Sequence, residues 1–303
     1  MAHVHSKSKD ENDPFCNRPN RLSKGVFFLF ILSFLLVSCQ TLQTKQDTPI
    51  AESEYIPEAF NWTPVTPGGS KAIERYDFHN PAVPLSYHVI KIDLGTENLA
   101  ITSSPSDETE FDADGTLKPS GTARFARDSR SVVAFNTSPF SKDSGKVKII
   151  GTHRVNKREF SSPAARYAAL AFDDGKATVI PSQNEQTLTD ADFAFGGFFA
   201  VLLDGQEQTF QAVTHDSRTG VGVSEDGKTL YVMAVEGENK KKSRGLSYQE
   251  CAKLFAALGA DDALEMDGGS STQLLINGTS VLPYTTPVKQ AASMGFKLAE
   301  RNF

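Results

Sequence analysis

Residues 218–235 read RTGVGVSEDGKTLYVMAV, and this stretch decides the fold. Two apolar runs, Gly220–Val223 and Leu230–Val235, flank the dipeptide Asp226-Gly227. An Asp-Gly pair between apolar runs is the strongest short-range hairpin signal. The same punctuation recurs outward along the chain. Asp174-Gly175 separates Tyr167–Phe172 from Ala177–Ile180, Asp204-Gly205 follows Phe198–Leu203, and Asn277-Gly278 follows QLLI. Upstream, Ile73–Asp93 contains YHVIKIDL, whose alternation of apolar and polar residues is that of a half-buried strand. Val132–Asn136 and Val147–Ile150 add further strands. So many hairpins predict an α+β chain: a largely antiparallel sheet with a few helices, in a single domain over residues 71–303.

One helix is well marked. Ser247-Tyr248-Gln249-Glu250 is a capping box, Cys251, Leu254, Phe255 and Leu258 share one face, and Gly259 is placed to end the helix. Cys251 is therefore expected in the core as a small hydrophobe, not as a nucleophile.

The N-terminal region reads as export machinery. Val26–Val37 is VFFLFILSFLLV, with Arg21 and Lys24 before it. As a helix it rises about 18 Å, short of the roughly 30 Å hydrocarbon core, so residues 1–38 are expected to be a signal peptide. Leu36-Val37-Ser38-Cys39 resembles the lipobox of bacterial lipoproteins, which implies a lipid anchor on Cys39, an exported chain and attachment to the cell envelope. Residues 39–70, rich in Thr, Gln, Pro, Glu and Ser, are expected to form a flexible tether, with Trp62 packing back on the domain. Of three cysteines only Cys251 then remains unmodified, so the mature chain has no disulfide. The net charge of −6 becomes −8 once the five basic and three acidic residues of 1–38 are removed. That balance argues against nucleic acid as a partner.

Several chemistries find no support. No G-x-S-x-G elbow is present for a serine hydrolase, and no HExxH or cysteine pair for zinc. Glu110, Asp112, Asp114 and Gly115 mimic the start of a calcium loop, but its twelfth position is Gly121, not a bidentate Glu. No metal and no cofactor is expected. The run Lys240-Lys241-Lys242-Ser243-Arg244 reads first as a solvated loop tip and only secondarily as an anion site.

Three stretches are left. Glu265–Thr272 reads EMDGGSST, with two carboxylates, two glycines and three hydroxyls after a short apolar run. Glycines there let backbone approach a ligand. Arg218 opens the hairpin quoted above, and a guanidinium suits forked recognition of phosphate. Glu236-Gly237 closes that hairpin with another carboxylate. If the three strands are neighbours, two carboxylates and a guanidinium meet at one sheet edge. Three ordinary strand-end turns would give the same pattern.

The order of these pieces resembles the phosphodiester glycosidase family. Its pattern of an R-T-x-x-G strand, a strand ending in D-G, a G-L-T/S helix, an L-G-A turn and an L-D-G-G-G-S strand end appears here as RTGVG, VEG, RGLSYQECAKLFAALGA and EMDGGSST. AFGGFFAVLLDG upstream resembles the family's Leu-rich strand and D/N-G turn. The resemblance implies hydrolysis of a sugar-1-phosphodiester at the anomeric bond, giving free sugar and a phosphomonoester. By it, Asp267 and then Glu236 are the catalytic carboxylates, with Asp216 and Glu265 as weaker candidates. On an extended strand Glu265 would share a face with Asp267. Arg218 with His215 would hold the phosphate, Asn136 would orient the sugar, and Gly268, Gly269, Ser270 and Ser271 would donate to sugar or phosphate. Three departures stand out: Ser270 for the third glycine, Glu236 for the usual Asp, and Asn136-Thr137-Ser138-Pro139-Phe140 for an N-G-G-Y-F-like segment. The last implies a different substrate or reduced activity. It leaves open a rival of another class, a non-catalytic glycan-binding or exopolysaccharide-assembly lipoprotein on the same fold.

Overall fold

The computed structural model describes residues 47–66, 70–184, 188–211, 213–283 and 288–298. The signal peptide, Cys39 and the first residues of the expected tether lie outside them. No helix among the described residues is long and apolar enough to cross a membrane.

The chain begins with β1 (Thr63–Pro64), β2 (Ile73–Asn80), β3 (Leu85–Asp93) and β4 (Leu99–Ser104). Helix α1 (Thr122–Ser129) precedes β5 (Val133–Asn136), β6 (Phe140–Asp143), β7 (Lys146–Ile149), β8 (His153–Val155) and β9 (Arg158–Ser161). Then come β10 (Ala169–Asp173), β11 (Lys176–Ile180), β12 (Phe193–Gly196), β13 (Ala200–Leu203) and β14 (Gln206–Glu207). The quoted hairpin is β15 (Arg218–Val223) and β16 (Thr229–Val235), followed by α2 (Tyr248–Leu258) and β17 (Asp262–Glu265). The chain closes with β18 (Leu274–Ile276), β19 (Thr279–Ser280) and β20 (Ser293–Leu298).

An eight-stranded sheet runs in the order β1-β2-β3-β16-β15-β17-β13-β14, and two five-stranded sheets run β11-β10-β12-β8-β9 and β19-β18-β5-β20-β4. Every pairing within them is antiparallel. The α+β architecture with mostly antiparallel sheet is thus the one the hairpins predict. Three of the four turns use the expected chemistry: Asp174-Gly175, Asp204-Gly205 and Asn277-Gly278 all have positive φ at both residues. At Asp226-Gly227 only Gly227 is left-handed, and Asp226 instead accepts from the Lys228 amide and the Ser224 hydroxyl.

The large sheet is buried on both faces. Ile90, Ile92, Val221, Val232, Ala234 and Leu264 face the other two sheets across one core. Tyr87, Val89, Met233, Val235 and Ala263 face α2 in a second core. The capping box forms as predicted, with Ser247 accepting from the Glu250 amide and Gly259 left-handed at φ 92°. Cys251 is a free, buried thiol within the second core. The glycines of RTGVG have a packing reason. A Cβ on Gly222 would lie 2.6 Å from the Phe255 ring and 2.9 Å from Ala260 Cβ, so α2 can lie flush on β15 only because the side chain is missing.

The tether expected over 39–70 does not hold for residues 47–66. Ile50 and Tyr55 are buried in the second core, and the Tyr87 hydroxyl donates to Tyr55 O at 2.7 Å. The Ile50 amide donates to Glu250 Oε1 at 2.6 Å, and Thr63–Pro64 pairs with β2. Phe60 and Trp62 stack and pack on Tyr76, so Trp62 packs back as expected. This strap has little periodicity but carries enough apolar surface in Ile50, Tyr55, Phe60 and Trp62 to offset the cost of ordering it.

Candidate functional site

Register brings the three sequence stretches to one edge of the large sheet. Arg218 pairs with Val235 and Gly220 with Glu265, so the start of β15 lies between the ends of β16 and β17. Beyond the strands the contacts continue. Gly269 N donates to Ser217 O at 2.8 Å, and a Cβ on Gly237 would meet Ser217 N at 2.3 Å. Glu236 and Asp267 therefore flank Ser217, their backbones two strand spacings or roughly 10 Å apart.

Asp267 sits where this sheet meets β5. Its amide donates to Thr137 O at 2.8 Å, and its carbonyl accepts from Asn136 Nδ2 at 2.6 Å. Burial pushes the Asp267 carboxyl up to about 6 from 3.8, while the Ser271 hydroxyl and the Lys142 ammonium pull the other way. Beside it opens a cleft of about 470 Å³, lined by Lys142, Lys146, Lys289, Ser270 and Ser271 among others. Lys146 is matched by Asp112 at 2.9 Å, whereas Lys142 and Lys289 have no ion-pair partner among the described residues. Buried hydroxyls of Thr137, Ser138, Ser217 and Thr272, all on the segments that hold Asp267, have no hydrogen-bond partner among the described residues. Unused buried donors of this kind call for a ligand or water.

The anion cradle expected from the glycines is built differently. The amides of Gly269, Ser271 and Thr272 are already donated to Ser217 O, Gly268 O and Gly269 O. Ser270 and Ser271 line the cleft, and the Ser271 hydroxyl is engaged with the Asp267 carboxyl. Gly269 is needed for its left-handed φ of 58°, which turns the chain back under Asp267.

Asn136 lies fully buried and acts inside the protein. Besides its bond to Asp267 O, its Oδ1 accepts from the Thr219 hydroxyl at 2.9 Å and the Gln273 amide at 2.8 Å. It ties β5, β15 and the Asp267 loop together instead of reaching a sugar.

Arg218 is likewise internal, on the α2 face of the sheet. Its guanidinium donates to Leu246 O at 3.0 Å and Thr214 O at 2.8 Å and stacks 4.0 Å from the Tyr248 ring centroid. Glu265 lies on the same face with Cys251 beside it, and its Oε1 has no hydrogen-bond partner among the described residues. Burial pushes the Glu265 carboxyl up to about 7, with the attraction of Arg218 partly offsetting it. The expectation that Glu265 shares a face with Asp267 fails because β17 ends at Glu265 and its alternation stops there.

His215 is 4% exposed, with Nε2 2.8 Å from Glu250 Oε2 and its amide donating to Asp47 Oδ2. It pins the strap to the start of α2. Asp216 Oδ1 accepts from the Ser217 amide at 2.8 Å, a local turn contact.

Glu236 lines a different, small cleft with Gly237, Glu238, Asn239, Lys242 and Pro283. His88 stands between it and Asp77, with Nε2 3.3 Å from Glu236 Oε1 and Nδ1 2.7 Å from Asp77 Oδ1. Burial opposes a charge on His88, but the two carboxylates outweigh it and raise its pKa. The basic loop proves structural in part: Lys240 Nζ donates to the His215 and Arg244 carbonyls.

Sequence reasoning did not find Lys142, Lys289 or His88. Isolated exposed lysines such as Lys142 and Lys289 carry no signal of their own, and His88 sits in an ordinary alternating strand. Among the described residues, a cluster of carboxylates close enough to share a cation is formed by Asp204, Asp261 and Asp262, at the other end of β17.

Solved structures share this fold. The zebrafish N-acetylglucosamine-1-phosphodiester alpha-N-acetylglucosaminidase catalytic domain, auto-inhibited by its pro-peptide, superposes with a TM-score of 0.59 at 16% identity, over 85% of this chain and 96% of that one. A hypothetical protein from Synechocystis gives 0.61 at 14% identity, over 76% of this chain and 62% of its own. An uncharacterized SPbeta prophage-derived protein of Bacillus subtilis is 26% identical over 275 residues, and this chain spans 37% of its length. Residues 129–297, which include β5, the whole β15–β17 edge and Asp267, match the phosphodiester glycosidase family, and the chain belongs to that family.

Proposed function

We propose that this chain hydrolyses a sugar-1-phosphodiester at the anomeric bond, releasing free sugar and a phosphomonoester. The observation that carries this reading is the position of Asp267, a half-buried carboxyl on the same short turn as Ser270 and Ser271, which line a cleft together with lysines. A phosphate is already a tolerable leaving group, so charge stabilisation matters more than a strong acid. Lys142 and Lys289 are suited to the phosphate oxygens, the place first expected for Arg218 and His215. Asp267, ionised above about pH 6, is suited to shield an oxocarbenium-like transition state and take a proton from water. Glu236, on the other side of Ser217, is the second carboxylate, and His88 orients it.

The test is to incubate the purified protein with UDP-N-acetylglucosamine and with a simple sugar-1-phosphodiester, with Asp267→Asn as the blank. Release of reducing sugar by wild type alone is the expected result. Saturable binding without release would favour the rival, a glycan-binding protein on the same scaffold. The observation on that side is NTSPF at 136–140, whose asparagine is spent on internal bonds. Export and a lipid anchor at Cys39 belong to the same proposal. Incorporation of labelled fatty acid that is lost in Cys39→Ala would support them, and incorporation retained in Cys39→Ala would remove the anchor from that residue.

A further inference from the structure

We propose that the cleft at Asp267 continues into a second anion-binding subsite, and that the group cleaved from the sugar is a glycan chain carrying at least one further phosphate. The inference rests on the hydrolase reading above and specifies its leaving group.

A second cleft, of about 620 Å³, shares Pro119 and Lys289 with the first. Those two residues form the common wall, so the path from the first cleft runs past Lys289 into this larger space. Lys118 and Arg124 also line it. Its two carboxylates are already engaged. Glu110 Oε1 accepts from the Ser106 and Asp107 amides at 2.7 and 3.2 Å, and Asp128 lies 3.3 Å from Arg124 in an exposed pair. Such exposed pairs contribute little and yield readily to a better anion. Lys118 and Lys289 have no ion-pair partner among the described residues.

Charge and size decide what fits. The chain as a whole is acidic, at net −6, yet the two clefts together gather Lys118, Arg124, Lys142 and Lys289. One phosphodiester carries a single negative charge, which Lys142 and Lys289 meet in the first cleft. Lys118 and Arg124 then await a second anion farther along the same chain. Ser103, Ser104, Ser106 and Ser120 line the path as donors and acceptors for sugar hydroxyls. A nucleoside is a poorer occupant, because the one aromatic among the described residues lining this space, Phe125, is 7% exposed and presents no face for base stacking.

The experiment titrates Asp267→Asn protein with two probes: one N-acetylglucosamine 1-(methyl phosphate) unit, and a trimer of such units joined by 1-phosphodiester links. The trimer is expected to bind at least tenfold tighter, with steeper weakening as salt rises. Adding Lys118→Ala and Arg124→Ala, both exposed positions, should remove that advantage and leave single-unit affinity unchanged. Equal affinity for both probes, or a trimer advantage that survives the charge removal, overturns the subsite. Wild-type protein is assayed in parallel. Sugar release from the single unit without a trimer advantage strikes the subsite alone, whereas absence of release and of binding for both probes removes the hydrolase reading with it.

Discussion

Asn136 Nδ2 donates to Asp267 O across 2.6 Å, and this bond joins two separate sheets at the candidate site. The same amide accepts from Thr219 and Gln273, so one side chain fixes three segments. Asn136→Ala strands three buried polar groups. The expected cost is about 3 kcal/mol or more of unfolding free energy, read by urea denaturation. In the protein that still folds, kcat should fall while KM changes little, because the residue holds the carboxylate and does not touch the sugar.

The pH profile follows from Asp267. Its folded pKa is near 6, and the proposed role needs the ionised form. The expected kcat/KM profile therefore falls tenfold per pH unit below about 6. Asp267→Asn should lower kcat by roughly 10²–10⁴-fold, the usual contribution of a positioned base. A profile that instead falls above pH 6 would make Asp267 the acid.

Lys142 and Arg218 should behave oppositely. Lys142→Ala, at an exposed position, is expected to lower kcat/KM on phosphodiesters by about tenfold or more, with unchanged stability and little effect on an uncharged aryl glycoside. Arg218→Ala removes a buried cation from two carbonyls and from Glu265. A loss of about 3–5 kcal/mol is expected there, seen as a lower urea midpoint. If Arg218→Ala instead folds normally and fails selectively on phosphate-bearing substrates, the original assignment of Arg218 is restored.

Glu265 makes stability depend on pH. Its carboxyl is raised to about 7 in the folded protein and titrates near 4.5 when unfolded. Between those values the folded state holds the extra proton, so stability falls as pH rises through this window and levels off above it. The contribution is on the order of 3 kcal/mol. Glu265→Gln should flatten this part of the curve and be more stable than wild type at pH 8, checked by urea midpoints at pH 5 and pH 8.

Much of this was legible in the chain because it is locally encoded. Dipeptides such as Asn277-Gly278 dictate backbone geometry by themselves, and the Ser247–Glu250 box needs no tertiary context. Asp267 was legible through the glycines that follow it. The strap was not, since Tyr55 and Trp62 find partners only across the fold. The burial of Arg218 was in principle readable. It shares a strand face with Gly220 and Gly222, and two glycines on one face announce a close neighbour, here Phe255. The lysine cleft was beyond reach. Lys142 and Lys289 are far apart in sequence and meet at the cleft only once β6–β7 and the segment before β20 are in place.

Strand β3 has a consequence for how the protein can be divided. It pairs with β16 over seven residues, from Thr229 with Asp93 to Val235 with Tyr87, yet it lies outside the stretch that matches the family. A protein begun at residue 129 would leave β16 with a bare row of amides and carbonyls beside six consecutive buried residues, Leu230–Val235. An open apolar edge of that length is a template for pairing with other chains. The family segment by itself is thus expected to aggregate, and the soluble unit to begin at the strap.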